Sequence, residues 1–242
     1  MSVGSAWAAA PAVVVTGASQ GIGAAIAERF ATCVPGVRLA LVARDRQRLE
    51  AVAARCASTG AQAIVLSADL LETAQVERMA GQVLSSFGSV DVLVNNAGRW
   101  RGGAVHEMSV GDFALTLQEN LVSMFAVTRA FLPAMLARGR GDLFFVSSTS
   151  GLEGLANNAA YCAAKHGVAG LAKAVRAELA GRGLRVCCVY PGATDTPTWD
   201  GSGVDRASLI AASDVAQMIV EAHRLSGRSM LEELILRPVA GR

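Results

Sequence analysis

Short apolar runs alternate along the chain with longer segments in which apolar residues recur every three or four positions. The short runs are continuously apolar, as in AVVVT at residues 12–16, which is typical of strands buried on both faces of a parallel sheet. The pattern predicts about seven strands, at residues 12–16, 37–43, 61–67, 90–94, 142–147, 183–190 and 231–237. Strands that alternate with helices predict an α/β fold, a doubly wound parallel sheet with helices on both faces.

The longer segments predict helices at residues 24–33, 45–58, 72–87, 110–137, 158–180 and 213–223. Asn120 lies in the middle of the longest helix, although asparagine side chains compete for backbone groups and disfavour helix interiors. Such a break of a local rule indicates either a functional role or an amide that is satisfied inside the core. No repeat or linker interrupts the pattern, so residues 1–242 are predicted to form a single domain.

Composition narrows the classes of function. Of the 242 residues, 52% are hydrophobic and 17% are charged, which favours a large buried core over disorder. The formal net charge of +2 gives no reason to expect a nucleic-acid or membrane partner. The apolar stretch at residues 6–15 follows no basic residue, so a short tail and a first strand are expected rather than a signal peptide. No apolar stretch approaches the roughly 20 residues of a membrane span.

The five cysteines are odd in number and lack metal-ligand spacing, and the three histidines show no partner pattern. No metal site is therefore predicted. Small thiols at predicted core positions fit a reducing compartment, so we expect a cytoplasmic protein.

A glycine-rich turn joins the first strand to the first helix. Gly17 permits a tight turn, while Gly21 and Gly23 let the backbone approach a pyrophosphate and let the helix pack on the strand. The helix N-terminus then offers free N–H groups and the positive end of its dipole. The alternative is an ordinary connection between a strand and a helix.

The second strand ends in Ala43 where dinucleotide folds that bind NAD carry an acid, and Arg44 follows. An arginine at this place accommodates a 2′-phosphate, so NADP is favoured over NAD. The neighbouring Arg46 and Arg48 are interpreted as the solvated start of a helix. Asp69 ends the third strand, where its carboxylate is expected either to accept from an adenine amino group or to start the next helix.

Candidate chemistry lies on and after the fifth strand, at Ser148, Tyr161 and Lys165. On a helix, Tyr161 and Lys165 lie at i and i+4 and share a face. The ammonium favours phenolate, so the pKa of Tyr161 is expected to fall from roughly 10 toward neutral, which suits a general acid. The alternative is a buried aromatic residue beside a solvated lysine.

The chain resembles the short-chain dehydrogenase/reductase family over essentially its whole length. The matching motifs, in family order, are TGxxxGxG at 16–23, Asp69-Leu70, NNAG at 95–98, Asn120, Ser148, YxxxK at 161–165 and Pro191-Gly192. The resemblance implies a Rossmann-type domain and an NADPH-dependent oxidoreductase that reversibly reduces a ketone or aldehyde to an alcohol. Sepiapterin-reductase-like and 3-oxoacyl-reductase-like members are the most similar branches.

The resemblance also implies a role for each site residue. Tyr161 would be the general acid or base, and Ser148 would bind the carbonyl oxygen. Lys165 would lower the Tyr161 pKa and bind the nicotinamide ribose, and Asn120 would hold a water in a proton relay. The implied cofactor contacts are Gly17, Ser19, Gln20, Gly21, Ile22, Gly23, Arg44, Asp69, Leu70, Asn96, Ala97, Gly98, Tyr161, Lys165, Pro191, Gly192, Thr194 and Thr196.

Two tryptophans are candidate substrate contacts. Trp100 lies in the run Arg99-Trp100-Arg101, which could select an acidic or aromatic substrate or simply be exposed. Trp199 lies in the expected substrate loop at about 193–212. The substrate itself stays open between a pterin, an oxoacyl thioester and another ketone.

Two features leave alternatives open. Gln20 stands where many NADP-using members carry a basic residue, so a 2′-phosphate would depend mainly on Arg44. A catalytically silent NADP-binding regulator is the alternative function, against which the complete Asn-Ser-Tyr-Lys set argues. Family members commonly assemble, so a homotetramer or homodimer is expected through the helices predicted at 110–137 and 158–180.

Overall fold

The structure is a computed structural model that describes residues 10–239, so the interpretation of residues 6–9 as a tail lies outside the described residues. The strands are β1 Ala12–Thr16, β2 Arg38–Ala43, β3 Gln62–Ser67, β4 Val92–Asn95, β5 Gly141–Val146, β6 Leu184–Pro191 and β7 Glu233–Leu236. They form one parallel sheet in the order β3-β2-β1-β4-β5-β6-β7. The predicted sheet is confirmed, with boundaries that differ by a few residues.

Helices cover both faces of this sheet. They are α1 Gly21–Cys33, α2 Arg46–Ala57, α3 Thr73–Phe87, α4 Val110–Leu117, α5 Ser123–Arg138, α6 Ala159–Glu178 and α7 Ala212–Arg224. Helices α1, α2 and α7 pack on one face through side chains such as Phe30, Leu49 and Ile219. Helices α3, α5 and α6 pack on the other face. Because both faces are covered, the strands read as continuous apolar runs.

The long helix predicted at 110–137 is divided. One turn of π-helix, Gln118–Val122, separates α4 from α5 and contains Asn120. A π turn inserts an extra residue, which shifts the phase of the apolar face. Helix α5 accordingly buries Met124, Val127 and Phe131 in the core, whereas Phe125 is 52% exposed.

The same segment corrects the expectation that no apolar stretch has the length of a membrane span. Residues 110–138 reach that length, with a mean hydropathy of 1.4 in their most apolar window. Length and composition alone do not separate such a span from the core helix of a globular domain. The burial of Met124, Val127 and Phe131 against the sheet is typical of a core helix.

The strand order reverses between β1 and β4, because β1 pairs with β2 on one side and with β4 on the other. In open α/β sheets, ligands bind in the crevice at this place, beyond the carboxyl ends of the strands. The Thr16 hydroxyl donates to the Val94 carbonyl, at 3.2 Å, and accepts from the N–H groups of Asn96 and Ala97. Thr16 therefore fixes the glycine turn against the NNAG loop.

Two glycines of the turn have backbones that other residues rarely adopt, since φ is +66° at Gly17 and +56° at Gly21. Gly23 is needed for a different reason. A Cβ atom there would lie 2.2 Å from the Gly17 carbonyl oxygen. The first turn of α1 can therefore pack on the loop only when residue 23 has no side chain.

We predict that Gly23→Ala lowers the free energy of unfolding by about 1–3 kcal/mol, because the added methyl group forces the turn to move. Gly81→Ala is the matched control. Gly81 lies in α3 with no atom near the position of a Cβ, so that substitution should raise stability by about 0.5–1 kcal/mol. Urea unfolding measures both variants, and equal effects would contradict the close approach.

Candidate active site

Lys165 lies on α6 and is 3% exposed. Its ammonium donates to the Val146 carbonyl at the end of β5, at 3.0 Å between Nζ and O. The Nζ atom is 5.4 Å from the centre of the Tyr161 ring. The predicted shared face of Tyr161 and Lys165 is therefore present, and the lysine is buried rather than solvated.

Ser148 follows β5 and faces the same tyrosine. Its side chain is hydrogen-bonded to that of Tyr161, and its Oγ also accepts from the Ser150 N–H at 3.1 Å. The neighbouring Ser147 is engaged elsewhere, since its hydroxyl donates to the Lys165 carbonyl at 2.9 Å. These contacts select Ser148 as the hydroxyl that is placed beside the phenol.

The expected fall in the Tyr161 pKa is wrong for this structure. Burial raises the pKa of Tyr161 to about 12, and the hydrogen bond with Ser148 opposes that rise only in part. Burial also lowers the pKa of Lys165 to about 8, against a smaller opposing effect of Cys188. Desolvation acts on both groups and outweighs their proximity. The Tyr161 side chain is therefore a neutral phenol, a proton donor, at neutral pH.

Asn120 shapes the loop that follows β4. Its amide nitrogen donates to the carbonyls of Arg99 and Thr116, at 2.8 and 2.9 Å, and its oxygen accepts from the Arg99 N–H at 3.1 Å. The amide is fully buried and satisfied by these groups. Its role in a proton relay stays a prediction.

A cleft of about 680 Å³ opens beyond the carboxyl ends of the strands. The residues of the loops after β1, β2, β3 and β4 line it, together with part of the expected substrate loop. The predicted cofactor contacts that line it are Gly17, Ser19, Gln20, Arg44, Asp69, Leu70, Ala97 and Gly98, and Trp100 lines it as well. These side chains, scattered in sequence, are brought to one edge of the sheet.

Other predicted cofactor contacts do not line the cleft, and two of them, Asn96 and Thr196, hold the glycine turn beside it. The Asn96 amide donates to the carbonyls of Thr16 and Gly17, at 2.9 and 3.4 Å. Thr196 packs against the glycine turn, so that a Cβ at Gly21 would lie 3.1 Å from its methyl group. The predicted cofactor contacts that do not line the cleft are Gly21, Ile22, Gly23, Asn96, Tyr161, Lys165, Pro191, Gly192, Thr194 and Thr196, and Ser148 does not line it either.

The expected substrate loop is only partly in the wall. Pro197 and Thr198 line the cleft, whereas Trp199 does not. Arg206 fastens the loop, because its guanidinium pairs with both Asp195 and Asp200. Trp199 as a substrate contact therefore stays a prediction.

Sequence reasoning missed Arg48. Arg46 pairs with Glu50 on the surface, at 2.8 Å, as a solvated residue should. Arg48 instead lines the cleft and donates to the Gln20 side chain, while its Nε lies 3.2 Å from Asp45. The signal available was its place in the first turn of α2, where side chains point back toward the helix N-terminus and the strand end.

The cleft fits a dinucleotide cofactor. The glycine turn brings backbone close to the cleft, the N-terminus of α1 follows it, and Arg44 stands at the end of β2. Asp69 keeps a carboxylate in the wall, although its Oδ1 accepts from the Leu71 N–H at 3.0 Å. Among residues 10–239, no group of three or more His, Cys, Asp or Glu side chains could hold a metal ion.

Lys165→Met tests the burial of the ammonium. The lowered pKa, from 10.5 to about 8, means that folding disfavours the charged form, so we predict that the variant is about 2–3 kcal/mol more stable at pH 7. The difference in the free energy of unfolding between variant and wild type is largest below about pH 8 and decreases toward pH 10.5. Above pH 10.5 the lysine is neutral in both the folded and the unfolded state. Urea unfolding without added cofactor at pH 7 and 9.5 measures it, and a pH-independent difference would contradict the assigned cause.

Comparison with known proteins agrees with this geometry. The model of the short chain dehydrogenase family matches residues 11–206. Sepiapterin reductase of Chlorobaculum tepidum is 33% identical over 235 residues, which cover 95% of this chain and 96% of that protein. The solved alcohol dehydrogenase of the archaeon Thermococcus sibiricus, complexed with 5-hydroxy-NADP, superposes with a TM-score of 0.90 at 29% identity, covering 97% of this chain and 99% of that one. Actinorhodin polyketide ketoreductase with NADPH gives 0.87 at 30% identity, covering 96% and 97%. These matches agree with the sheet order, the glycine turn and the cluster of Ser148, Tyr161 and Lys165. The chain therefore belongs to the short-chain dehydrogenase family.

Proposed function

We propose that this oxidoreductase uses NADPH to reduce a ketone or aldehyde to an alcohol, reversibly. The observation that carries the proposal is the surroundings of the Tyr161 phenol. Its hydroxyl is hydrogen-bonded to Ser148, and the centre of its ring lies 5.4 Å from the Lys165 Nζ. The structural relatives solved with NADP or NADPH support the cofactor.

Tyr161 is the proton donor of the proposed reaction. When bound, NADPH supplies the hydride that reaches the carbonyl carbon. Tyr161 gives its phenolic proton to the carbonyl oxygen, and the Ser148 hydroxyl donates a hydrogen bond to that oxygen as negative charge develops. Because burial raises the pKa of Tyr161 to about 12, the phenol carries the proton that this step needs at neutral pH.

Lys165 and Asn120 assist Tyr161 in the proposed reaction. In this reaction, the Lys165 ammonium stabilises the phenolate that remains after proton transfer and binds the nicotinamide ribose hydroxyls. Asn120, in the π turn, is the candidate to connect this lysine with solvent through a water. The other outcome, a silent NADP-binding regulator, has no use for a proton donor, and measured turnover would eliminate it.

Arg44 is the residue proposed to bind the 2′-phosphate of NADPH. Its guanidinium forms no ion pair with any residue from 10 to 239, and it lines the cleft at the end of β2. Arg48 lies beside it but is engaged by Asp45 and Gln20. A free guanidinium suits a phosphate, because its fork of N–H groups matches the oxygens.

The proposed quaternary structure is a homotetramer or homodimer, and its support is exposed apolar surface. Val110 is 85% exposed, and Val122 and Phe125 are each 52% exposed, around the junction of α4 and α5. Light scattering gives the mass, and a monomer would contradict the proposal.

The proposed location is the cytoplasm, because all five cysteines are free thiols. Recovery from another cell fraction would contradict this location.

We predict that Tyr161→Phe lowers kcat for carbonyl reduction by about 100-fold or more, because it removes the proton donor. NADPH binding, measured by fluorescence, should change little. Tyr190→Phe is the matched control, since the Tyr190 hydroxyl is engaged by Glu233, at 3.3 Å, and by Cys188 rather than by Ser148, so this variant should keep its turnover. Retained turnover in Tyr161→Phe would refute the assigned role.

We predict that Arg44→Gln raises KM for NADPH about tenfold or more and changes KM for NADH little, because only NADPH carries the 2′-phosphate. Arg46→Gln removes the same charge from a surface pair with Glu50 and serves as the control. Steady-state kinetics with both cofactors measure the effect. An equal change for NADH would withdraw the assignment.

A further inference from the structure

We propose that Arg99 and Trp100 form a subsite that binds the far end of the substrate, and that this end is an aromatic ring bearing a carboxylate. The inference rests on the proposed function, because it names the substrate class of the same reductase. The two residues are called the Arg99–Trp100 subsite below. Both line the cleft at its Gly98 end.

The backbone of the subsite is rigid. The Asn120 amide holds both the N–H and the carbonyl of Arg99, at 3.1 and 2.8 Å, and is itself fully buried. Four residues after Arg99, the Gly103 N–H donates to the Asn157 carbonyl at 2.8 Å. The side chains of the subsite therefore project from a fixed frame.

The subsite also lies next to the reaction centre. A Cβ built on Gly98 would be 3.6 Å from the Lys165 Nζ and 2.5 Å from the Asn120 Oδ1. Arg99 follows Gly98 directly. A substrate whose carbonyl meets Tyr161 therefore has its distal part within reach of residues 99 and 100.

Trp100 presents an anchored aromatic face. Its indole N–H donates to the Asn158 side chain at 2.6 Å, yet 53% of the residue is exposed. Gly102 passes so close that a Cβ there would lie 2.5 Å from the ring. Asn158 precedes the first residue of α6 and makes no side-chain cap to that helix, because its oxygen is used by the indole. An exposed ring held at its edge in this way is suited to stacking.

Arg99 supplies a positive charge that the protein does not neutralise. The nearby acid Glu119 is already paired with Arg101, at 3.0 Å, and its side chain is 11% exposed. Within residues 10–239, Arg99 itself has no carboxylate partner. This end of the cleft therefore keeps one surplus positive charge, separate from Arg44 at the cofactor end.

The two side chains together define the ligand. A guanidinium binds a carboxylate through two parallel hydrogen bonds, and it does so with higher specificity than an ammonium. An indole face favours a planar aromatic ring. An aromatic ketone with a carboxylate away from the carbonyl satisfies both, which is why an acidic rather than a neutral substrate is expected.

The test compares four ketones with NADPH: 4-acetylbenzoate, its methyl ester, 5-oxohexanoate and its methyl ester. Wild-type protein should prefer the aromatic acid. Arg99→Gln should lower kcat/KM for 4-acetylbenzoate about tenfold or more, leave the aromatic ester unchanged, and leave KM for NADPH unchanged. Arg99→Lys should restore part of the preference. Arg46→Gln, which loses the same charge from a surface ion pair, is the control.

Trp100→Leu tests the aromatic half of the subsite. It should reduce kcat/KM for both aromatic ketones and spare both aliphatic ones. An equal loss on all four ketones would show that Trp100 acts on the reaction centre through Asn158 and would overturn stacking. An equal loss on acid and ester in Arg99→Gln, or a rise in KM for NADPH there, would overturn carboxylate recognition.

Binding separates failure of this inference from failure of the proposed function. Calorimetry follows 4-acetylbenzoate added to the NADP⁺-loaded protein. If no ketone turns over but the acid binds wild type about tenfold more tightly than Arg99→Gln, the subsite stands and the proposed reduction of these ketones falls. If the acid binds both proteins equally or binds neither, the subsite is overturned.

Discussion

The burial of one ammonium group is the constraint on which the site depends. Among the residues that the structure describes, 10–239, no carboxylate pairs with Lys165, and its Nζ donates to the Val146 carbonyl at 3.0 Å. Two glycines make room around this lysine: a Cβ at Gly98 would approach its Nζ, and one at Gly151 would lie 2.7 Å from its carbonyl. A buried cation without a counterion destabilises the fold. In the proposed reaction, this unfavourable burial is offset by the use of the charge beside Tyr161.

Periodicity and glycine spacing predicted the sheet and most of the cleft, because both follow from burial and local backbone geometry. The π turn was not predictable from the pattern, since it depends on the bonds between Asn120 and the distant Arg99. The rise in the Tyr161 pKa was also not predicted, because i,i+4 spacing indicates that two side chains are close but not how far they are desolvated. Arg48 was missed since its partner Gln20 lies 28 residues away.

The site has two ends that are built differently. The cofactor end is made by the carboxyl ends of β1, β2 and β4, whose positions the sheet dictates. The proposed substrate end is made by loops, chiefly residues 99–103 and the segment in which Arg206 pairs with Asp195 and Asp200. Relatives on this frame include a sepiapterin reductase, an alcohol dehydrogenase and a polyketide ketoreductase. One fold thus occurs in proteins that are named for different substrates, so the substrate has to be argued from the residues of the site and not from the fold.

During synthesis on the ribosome, the hydrogen bonds of Thr16 can form only after many more residues have been added. Its partners Val94, Asn96 and Ala97 lie 78 to 81 residues later in the chain. Until they emerge, β1 has β2 on one side and an open edge on the other, which is a template for pairing with another chain. A strand that is fully buried in the finished protein thus has an exposed edge in the growing chain until β4 arrives.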